Sequence, residues 1–320
     1  MSIATEEWLG LLRREYLDDF VRQGGAAVKF AVVAEREAGS ALLHRVEREA
    51  QEAGYLVARV DAAQVKVHMM HDVFFAVART VPWRDLARQA VRGYYVQSGF
   101  RVPEDGDLST EAVAAFNGVD PMLLGAEVRQ RIEGMLQRSE ELAKDFRLAM
   151  LWLCLAEIYR DRAADDGGTI IEWLEGDLRL VSAAKRYLIF RKIGRHNARA
   201  MLSSLSAWAR MVGMPGLVLT LDLRRLGVAK RAEVTDGVFY TKAAALDAYE
   251  VLRQLIDSTD DLRGLLCVVL AEPILFEDER RGVPTYRALL DRVRPDVQLR
   301  QRDNPLSALA RLGGDGASAP

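Results

Sequence analysis

The chain has 320 residues, of which 46 are acidic and 44 basic, for a formal charge of −2, and half are hydrophobic. This composition predicts a folded globular protein of about two domains, at roughly 150 residues each, and excludes both an acidic disordered tail and a wholly basic surface. The only two cysteines, Cys154 and Cys267, lie in apolar runs, which excludes a disulfide framework. No long apolar run is present, so no membrane span is predicted. Because no signal peptide is recognised either, a cytoplasmic setting is expected.

The first 62 residues predict a helix followed by the start of a parallel sheet. Apolar residues at spacings of three and four indicate an amphipathic helix, with Thr5 as its cap. The elements expected here are the helix at 5–23, a strand at 27–34, a loop at 35–40, a helix at 41–54 and a strand at 55–62. Strands joined by a helix in this order are typical of a βαβ unit.

The middle of the chain, residues 63–213, has an almost wholly helical pattern, which predicts a helical insertion rather than a loop. Its H-x-x-H pair, His68 and His71, has no cysteine or second histidine pair nearby, so no metal site is predicted. Strands return at 216–223 and 264–272, with helices at 243–259 and 284–294 and a short last strand at 306–312. We therefore expect one α/β core split into 1–62 and 214–312, with a disordered tail at 313–320.

The connection after the first strand is where a P-loop protein holds its phosphates. The motif G-x-x-x-x-G-K-[ST] supplies backbone N–H groups, a lysine for the phosphates and a hydroxyl for Mg²⁺. Here that position holds Ala34, Glu35, Arg36, Glu37, Ala38, Gly39, Ser40 and Ala41. Only Gly39 fits the motif, because Ser40 replaces the lysine and Ala41 the hydroxyl. Glu35 and Glu37 add negative charge that would repel a triphosphate.

Two further strand ends normally complete such a site. The first is an apolar strand ending in Asp-Glu, in which one acid organises Mg²⁺ and the next activates water. Here Asp222 is present, but Leu223 stands at the water-activating position. The second is a polar sensor residue at the tip of the next strand, where this sequence has Glu272. We predict a degenerate nucleotide site with no catalytic residue.

Several stretches resemble one known family, the BREX-system ATP-binding domain family of a bacterial phage-exclusion system. The resemblance is carried by YLDDFVRQGGAAVKFAVV, by RHNARAMLSSLSAWARMVGMPGLVLTLDL and by LDAYEVLRQLIDSTDDLRGLLCVVLAEPILFEDERRGVPTYRALLDRVR followed by RDNPLSALARL. It covers roughly residues 9–62 and 190–312, and FEDERRGVPTYRALLDRVR is its most specific part.

The resemblance implies an AAA-like P-loop NTPase fold, with a three-layer parallel sheet and a large helical insertion. The family's phosphate loop falls on 34–41, its Mg²⁺ and water strand end on Asp222 and Leu223, and its sensor on Glu272. This sequence departs from the family pattern at all three, and the usual C-terminal lid is expected to be absent after Leu312. No cofactor is therefore expected, unless the 34–41 connection still binds ATP and Mg²⁺.

A block without any acidic residue, 178–221, hides a local excess of eight positive charges. Its candidate phosphate-binding or trans-acting side chains are Lys185, Arg186, Arg191, Lys192, Arg195 and Arg199. The block could face DNA or RNA, could supply an arginine finger to a neighbouring active subunit, or could form a solvated face. In the last case its bases would pair with the acids Asp161, Asp165, Asp166, Glu172, Glu175 and Asp177.

The function predicted from these observations is that of a non-catalytic, pseudo-ATPase subunit of an anti-phage defence assembly. It would scaffold or regulate an active ATPase paralogue, in a hetero-oligomer with that paralogue or other defence subunits. Two alternatives stay open: a divergent ATP-binding ATPase, and a DNA-binding adaptor that uses the 178–221 surface.

Overall fold

The computed structural model describes residues 2–104, 106–228, 237–294 and 304–313, and for residues 160–166 only the backbone. The chain divides into two compact units. The sheet unit consists of Met1–Val77 and Met214–Pro320, and the helical unit of Ala78–Gly213. Residues 63–77, which the sequence analysis placed in the insertion, group with the sheet unit. Residues 314–320 of the predicted tail lie outside the described residues.

The sheet unit is built on one parallel sheet in the order β1-β6-β2-β5-β4-β3. Its strands are β1 (Ile3–Ala4), β2 (Ala26–Val33), β3 (Leu56–Asp61), β4 (Leu217–Asp222), β5 (Leu265–Ala271) and β6 (Leu309–Gly313). The α/β class and the parallel sheet are thus confirmed. Strand β1 was not predicted, because a two-residue strand carries no readable hydrophobic period.

Twelve α-helices are described, numbered in chain order. They are α1 (Thr5–Leu11), α2 (Arg36–Glu52), α3 (Met70–Ala78), α4 (Trp83–Gln97), α5 (Thr110–Asn117), α6 (Pro121–Arg138), α7 (Lys144–Ile158), α8 (Arg160–Glu175), α9 (Ala198–Met211), α10 (Lys242–Asp257), α11 (Ile274–Glu277) and α12 (Arg287–Val293). Short 3₁₀ segments occur at Val181–Tyr187, Arg224–Gly227 and Val283–Thr285.

Apolar side chains cover both faces of the sheet. On one face, residues of α1 and α2 such as Trp8 and Leu43 form one buried cluster with Val218 of β4 and Leu266 of β5. On the opposite face, the Phe30 ring of β2 meets the Phe276 ring of α11 edge-on at 6.1 Å. Helices on both faces explain why the central strands are apolar on both sides.

The N-terminal helix differs from its prediction in two ways. Thr5 does not cap it: the hydroxyl donates instead to the Gly313 carbonyl at 3.2 Å and so ties α1 to β6. The helix also changes type along its length, because α1 continues as π-helical turns over Leu12–Phe20. One such bond runs from the Val21 amide to the Tyr16 carbonyl at 2.9 Å, five residues back.

The helical unit is less regular than its sequence pattern predicted. Helices α6 and α7 are neighbours, and Asp120 caps α6 by accepting from the Leu123 amide at 2.9 Å. After Val181–Tyr187, however, residues 188–197 run to α9 without a regular helix. Within the described ranges, no helix has the length and apolar character that crossing a bilayer requires.

Candidate functional site

The candidate site lies at the carboxyl edge of the sheet, where parallel α/β proteins place their ligands. Residues 34–41 follow β2, Asp61 ends β3, Asp222 ends β4 and Glu272 follows β5. Asp61 and Asp222 are partners in the β3–β4 register, so two carboxylates lie on adjacent strands. The topology therefore brings the predicted positions to one edge.

The connection after β2 is not the loop that the sequence predicted. Helix α2 already begins at Arg36, so only Ala34 and Glu35 separate it from β2. The Gly39 amide donates to the Glu35 carbonyl at 3.0 Å, as in an ordinary helical turn. A phosphate cradle needs several consecutive amides free to point at the ligand. Because most of residues 34–41 are helical, this connection does not form such a cradle.

Gly39 lies where α2 packs closely against the sheet. A Cβ added there would meet Leu270 Cδ2 at 3.2 Å and Arg224 Nη1 at 3.4 Å. The lack of a side chain therefore lets α2 pack directly on β5 and on the Arg224 guanidinium. The retained glycine of the motif has a packing role in this chain.

Arg224 fills the space between the end of β4 and the first turn of α2. Its Nε donates to Asp222 Oδ1 at 2.9 Å and its Nη2 to Asp222 Oδ2 at 2.6 Å. The same guanidinium donates to the Arg36 carbonyl at 2.6 Å and to Ser40 Oγ at 3.0 Å. We call this set of contacts the Arg224 bridge. It joins the strand end that would hold Mg²⁺ to the helix that would hold phosphate.

The ion pair at the centre of this bridge is largely buried and its charges are matched. The side chains of Arg224 and Asp222 are only 10% and 7% exposed. Hydrogen bonding to Asp222 raises the pKa of Arg224 above its ordinary value, and the charges of Glu272 and Asp61 act in the same direction. The guanidinium thus supplies the positive charge that a metal ion and a lysine supply in a working site.

The other two predicted positions at this edge are Leu223 and Glu272. Leu223 is fully buried, and its amide donates to the Leu270 carbonyl at 2.9 Å. Glu272 is half-buried at the start of α11, where its carbonyl accepts from the Leu275 amide at 3.0 Å. Leu223 carries no acid, and both carboxylate oxygens of Asp222 accept hydrogen bonds from Arg224.

ATP with Mg²⁺ therefore does not fit the residues present. A metal at Asp222 would have to displace the Arg224 guanidinium, and the connection after β2 carries Glu35 and Glu37 and lacks the lysine of the motif. Among the described residues, no group of three or more histidine, cysteine or acidic side chains is placed to hold a metal ion.

The candidate basic residues all belong to the helical unit and are exposed. Lys185 and Arg186 lie in the 3₁₀ segment, Arg191, Lys192 and Arg195 in the irregular stretch, and Arg199 in the first turn of α9. Of their predicted acidic partners, Asp161, Asp165 and Asp166 have side chains outside the described part. Asp177 pairs with Arg79 instead, at 2.8 Å.

Sequence reasoning missed the role of Arg224. A basic residue two positions after a strand-ending acid was the available signal. No role was predicted for Lys29 of β2 either. The Lys29 ammonium is buried, donates to the Leu306 carbonyl at 2.6 Å and lies 4.3 Å from the Tyr16 ring centre.

The six-stranded parallel sheet, with helices on both faces and a strand-ending aspartate, defines an α/β protein of P-loop NTPase-like fold. The sequence model of the family described as BREX system ATP-binding protein BrxC/D matches residues 12–314. That match spans nearly the whole chain, so the protein belongs to this family. No curated protein and no solved structure matches the chain.

Proposed function

We propose that this protein is a non-catalytic, ATPase-like subunit of a cytoplasmic anti-phage defence assembly. Membership in the BREX ATP-binding family supports the defence role. The Arg224 bridge is the observation that carries the non-catalytic part, because it fills the place of nucleotide and metal with groups of the chain itself.

Binding of ATP and Mg²⁺ would have to break this bridge. Removing one partner of a buried ion pair leaves the other without compensation, which costs about 3–5 kcal/mol. A metal ion at Asp222 could recover part of that energy, but the freed guanidinium would lose its bonds to Arg36 and Ser40 as well. The closed arrangement therefore competes directly with nucleotide.

A subunit of this kind acts through its surfaces. The sheet and its covering helices keep the α/β fold expected of the family, while the Arg224 bridge occupies the strand end and helix that would carry the phosphate chemistry. We infer that the protein assembles with a catalytically intact ATPase of the same family or with other subunits of the defence system. In that hetero-oligomer it would scaffold or regulate the active ATPase.

The nucleotide part of the proposal is tested by isothermal titration of the full chain with ATP and Mg²⁺ and by phosphate release. We expect no saturable binding in the micromolar range and no turnover above a protein-free blank. Micromolar binding would contradict the closed site. Turnover that disappears in Asp222→Asn, with the circular dichroism spectrum preserved, would establish the divergent ATPase instead.

The assembly part is tested with a purified, catalytically intact family member. We expect a mixed complex in sedimentation velocity and a changed ATP turnover of the active member on adding this chain. An unchanged turnover, together with separate sedimentation of the two proteins at micromolar concentrations, would refute the regulatory role.

A further inference from the structure

The helical unit exposes apolar side chains at the turn between α5 and α6. Helix α5 ends at Asn117 and α6 begins at Pro121. Within residues 116–123, which we call the apolar corner, four large apolar side chains are 45%, 39%, 84% and 73% exposed: Phe116, Val119, Met122 and Leu123. Apolar patches left exposed on a folded protein mark interaction sites. We propose that the apolar corner is the interface through which two copies of this chain form a symmetric dimer.

The backbone of the corner is fixed by caps at both helix ends. Gly118 ends α5 in the left-handed conformation, with a φ of +67°. The Asn117 side-chain amide donates to the Val113 carbonyl at 2.8 Å and to the Arg101 carbonyl at 2.7 Å. Asp120 caps the start of α6. Because this backbone is ordered before it meets a partner, it loses little conformational entropy on docking.

A cavity of about 560 Å³ adjoins the corner within the same unit. Pro121 and Met122 of the corner line it, together with Trp152 and Leu155 of α7. The Trp152 ring packs edge-on against the Tyr187 ring, with ring centres 5.2 Å apart, so this part of the cavity wall is held in place. The unit therefore presents projecting apolar side chains and an apolar cavity side by side.

This adjacency makes the surface self-complementary. Met122 belongs both to the corner and to the cavity lining, so a twofold axis close to Met122 brings each corner against the cavity of the other copy. In a twofold interface both partners use the same patch, and each contact occurs twice. A second copy thus covers the projecting side chains and fills the cavity in one step.

The charges beside the corner also favour a second copy over a strongly charged partner. On α6, Arg131 pairs with Glu127 at 2.9 Å and Arg129 pairs with Glu133 at 2.8 Å. Two identical surfaces with an excess of one charge would repel each other on contact, whereas surfaces with paired charges do not. A strongly acidic or basic partner gains little from charges that are already paired within one helix.

Sedimentation velocity of the full chain, from about 1 to 100 μM, tests for the dimer. We expect the sedimentation coefficient to rise with concentration from that of a monomer to that of a dimer. In Met122→Asp/Leu123→Asp the dissociation constant of the dimer should increase at least about tenfold, because four carboxylates would be desolvated close to the twofold axis. Both positions are exposed, and circular dichroism checks that the variant is folded.

The matched control introduces the same number of charges outside the corner. Leu180 and Ile274 are exposed apolar residues, at 70% and 46%. Leu180→Asp/Ile274→Asp should therefore leave the dissociation constant unchanged. Equal weakening by the corner variant and by this control would show that the added charge, and not the corner, controls association.

The position of the twofold axis is tested by a disulfide between copies. Cys154 and Cys267 are both buried, so an introduced surface cysteine is the accessible thiol. With oxidised glutathione as the oxidant, Met122→Cys should give a covalent dimer on a non-reducing gel, because the axis brings the two copies of this residue together. The control Leu180→Cys should remain a monomer on the same gel.

Three further results would overturn the proposal. The first is a chain that sediments as a monomer at about 100 μM. The second is a dimer in which Met122→Cys does not cross-link, since this would place the interface elsewhere. The third is a monomeric chain that joins another member of the family through the corner, with the complex lost in Met122→Asp/Leu123→Asp, which would assign the corner to a different protein. The proposed assembly with an active ATPase is tested separately and can fail while the dimer forms.

Discussion

At the scale of single residues, the buried Arg224–Asp222 pair allows us to predict how much one side chain contributes to the free energy of unfolding. The variant Arg224→Ala should lower the free energy of unfolding by about 3 kcal/mol, because it leaves the Asp222 carboxylate buried without its partner. Urea unfolding followed by circular dichroism measures this change. In a double-mutant cycle with Asp222→Ala, the two losses should not add, because either variant already breaks the pair.

A matched control for this pair exists on α12. Arg287 and Asp291 form an ion pair at 2.8 Å, but their side chains are 70% and 50% exposed. Arg287→Ala should therefore change the free energy of unfolding by less than about 0.5 kcal/mol. Equal effects of Arg224→Ala and Arg287→Ala would show that the Arg224 bridge contributes no more than a surface pair.

Lys29 makes stability depend on pH. Burial lowers its pKa from 10.5 to about 8, so between these values the unfolded chain binds more protons and stability rises with pH. Relative to Lys29→Met, the unmodified chain should gain about 2.5 kcal/mol between pH 7 and pH 10. Urea unfolding of both proteins at several pH values measures the difference, and a constant difference would contradict the lowered pKa.

Residue types at strand ends were predictable from sequence, and their contacts were not. The location of Asp222, Leu223 and Glu272 at strand ends can be predicted from where the apolar runs of the sequence stop. Arg224 could not be assigned in this way, because its guanidinium reaches the Arg36 carbonyl 188 positions away. Such a contact depends on the tertiary arrangement of α2 and β4, which hydrophobic periodicity does not encode.

At the scale of elements, the entry into β4 depends on a glycine. Gly216 has a φ of +152°, and a Cβ there would lie 2.0 Å from the Gly264 carbonyl oxygen. Gly216→Ala should therefore destabilise the protein by more than about 2 kcal/mol, because backbone and not a flexible side chain would have to move. Thermal unfolding measures this effect.

Gly10 is the control for this substitution. It lies in α1, and a Cβ there would meet nothing within 4 Å. Gly10→Ala should be neutral or stabilise the protein by up to about 1 kcal/mol, since alanine favours the helix. A similar loss of stability in both variants would contradict the steric explanation for Gly216.

The element boundaries show why the predicted loop at 35–40 was wrong. Glutamate, arginine and alanine are good helix formers, and residues 35–38 consist only of these. Gly39 and Ser40 suggested a loop, but Gly39 is needed for contact with Leu270 and Ser40 donates to the Arg36 carbonyl at 3.2 Å. Tertiary packing therefore extends the helix through residues that are loop-forming in isolation.

At the scale of the whole molecule, alternating strands and helices were enough to predict the α/β class and the parallel sheet. The strand order was not readable from the chain, because β2 and β3 are consecutive in sequence yet β5 and β4 lie between them. The boundary between the two units near residue 213 coincides with a change from a helical to a strand pattern in the sequence. The boundary near residue 77 instead falls inside helix α3.

The strand order of the sheet also determines the order in which parts of the protein can fold during synthesis. Both neighbours of β2 come from the far end of the chain, β5 at Leu265–Ala271 and β6 at Leu309–Gly313. On the ribosome, β2 therefore emerges long before any strand that it pairs with. The helical unit is contiguous and can complete its core first, while β2 stays unpaired until the last strands are translated and is exposed to aggregation until then.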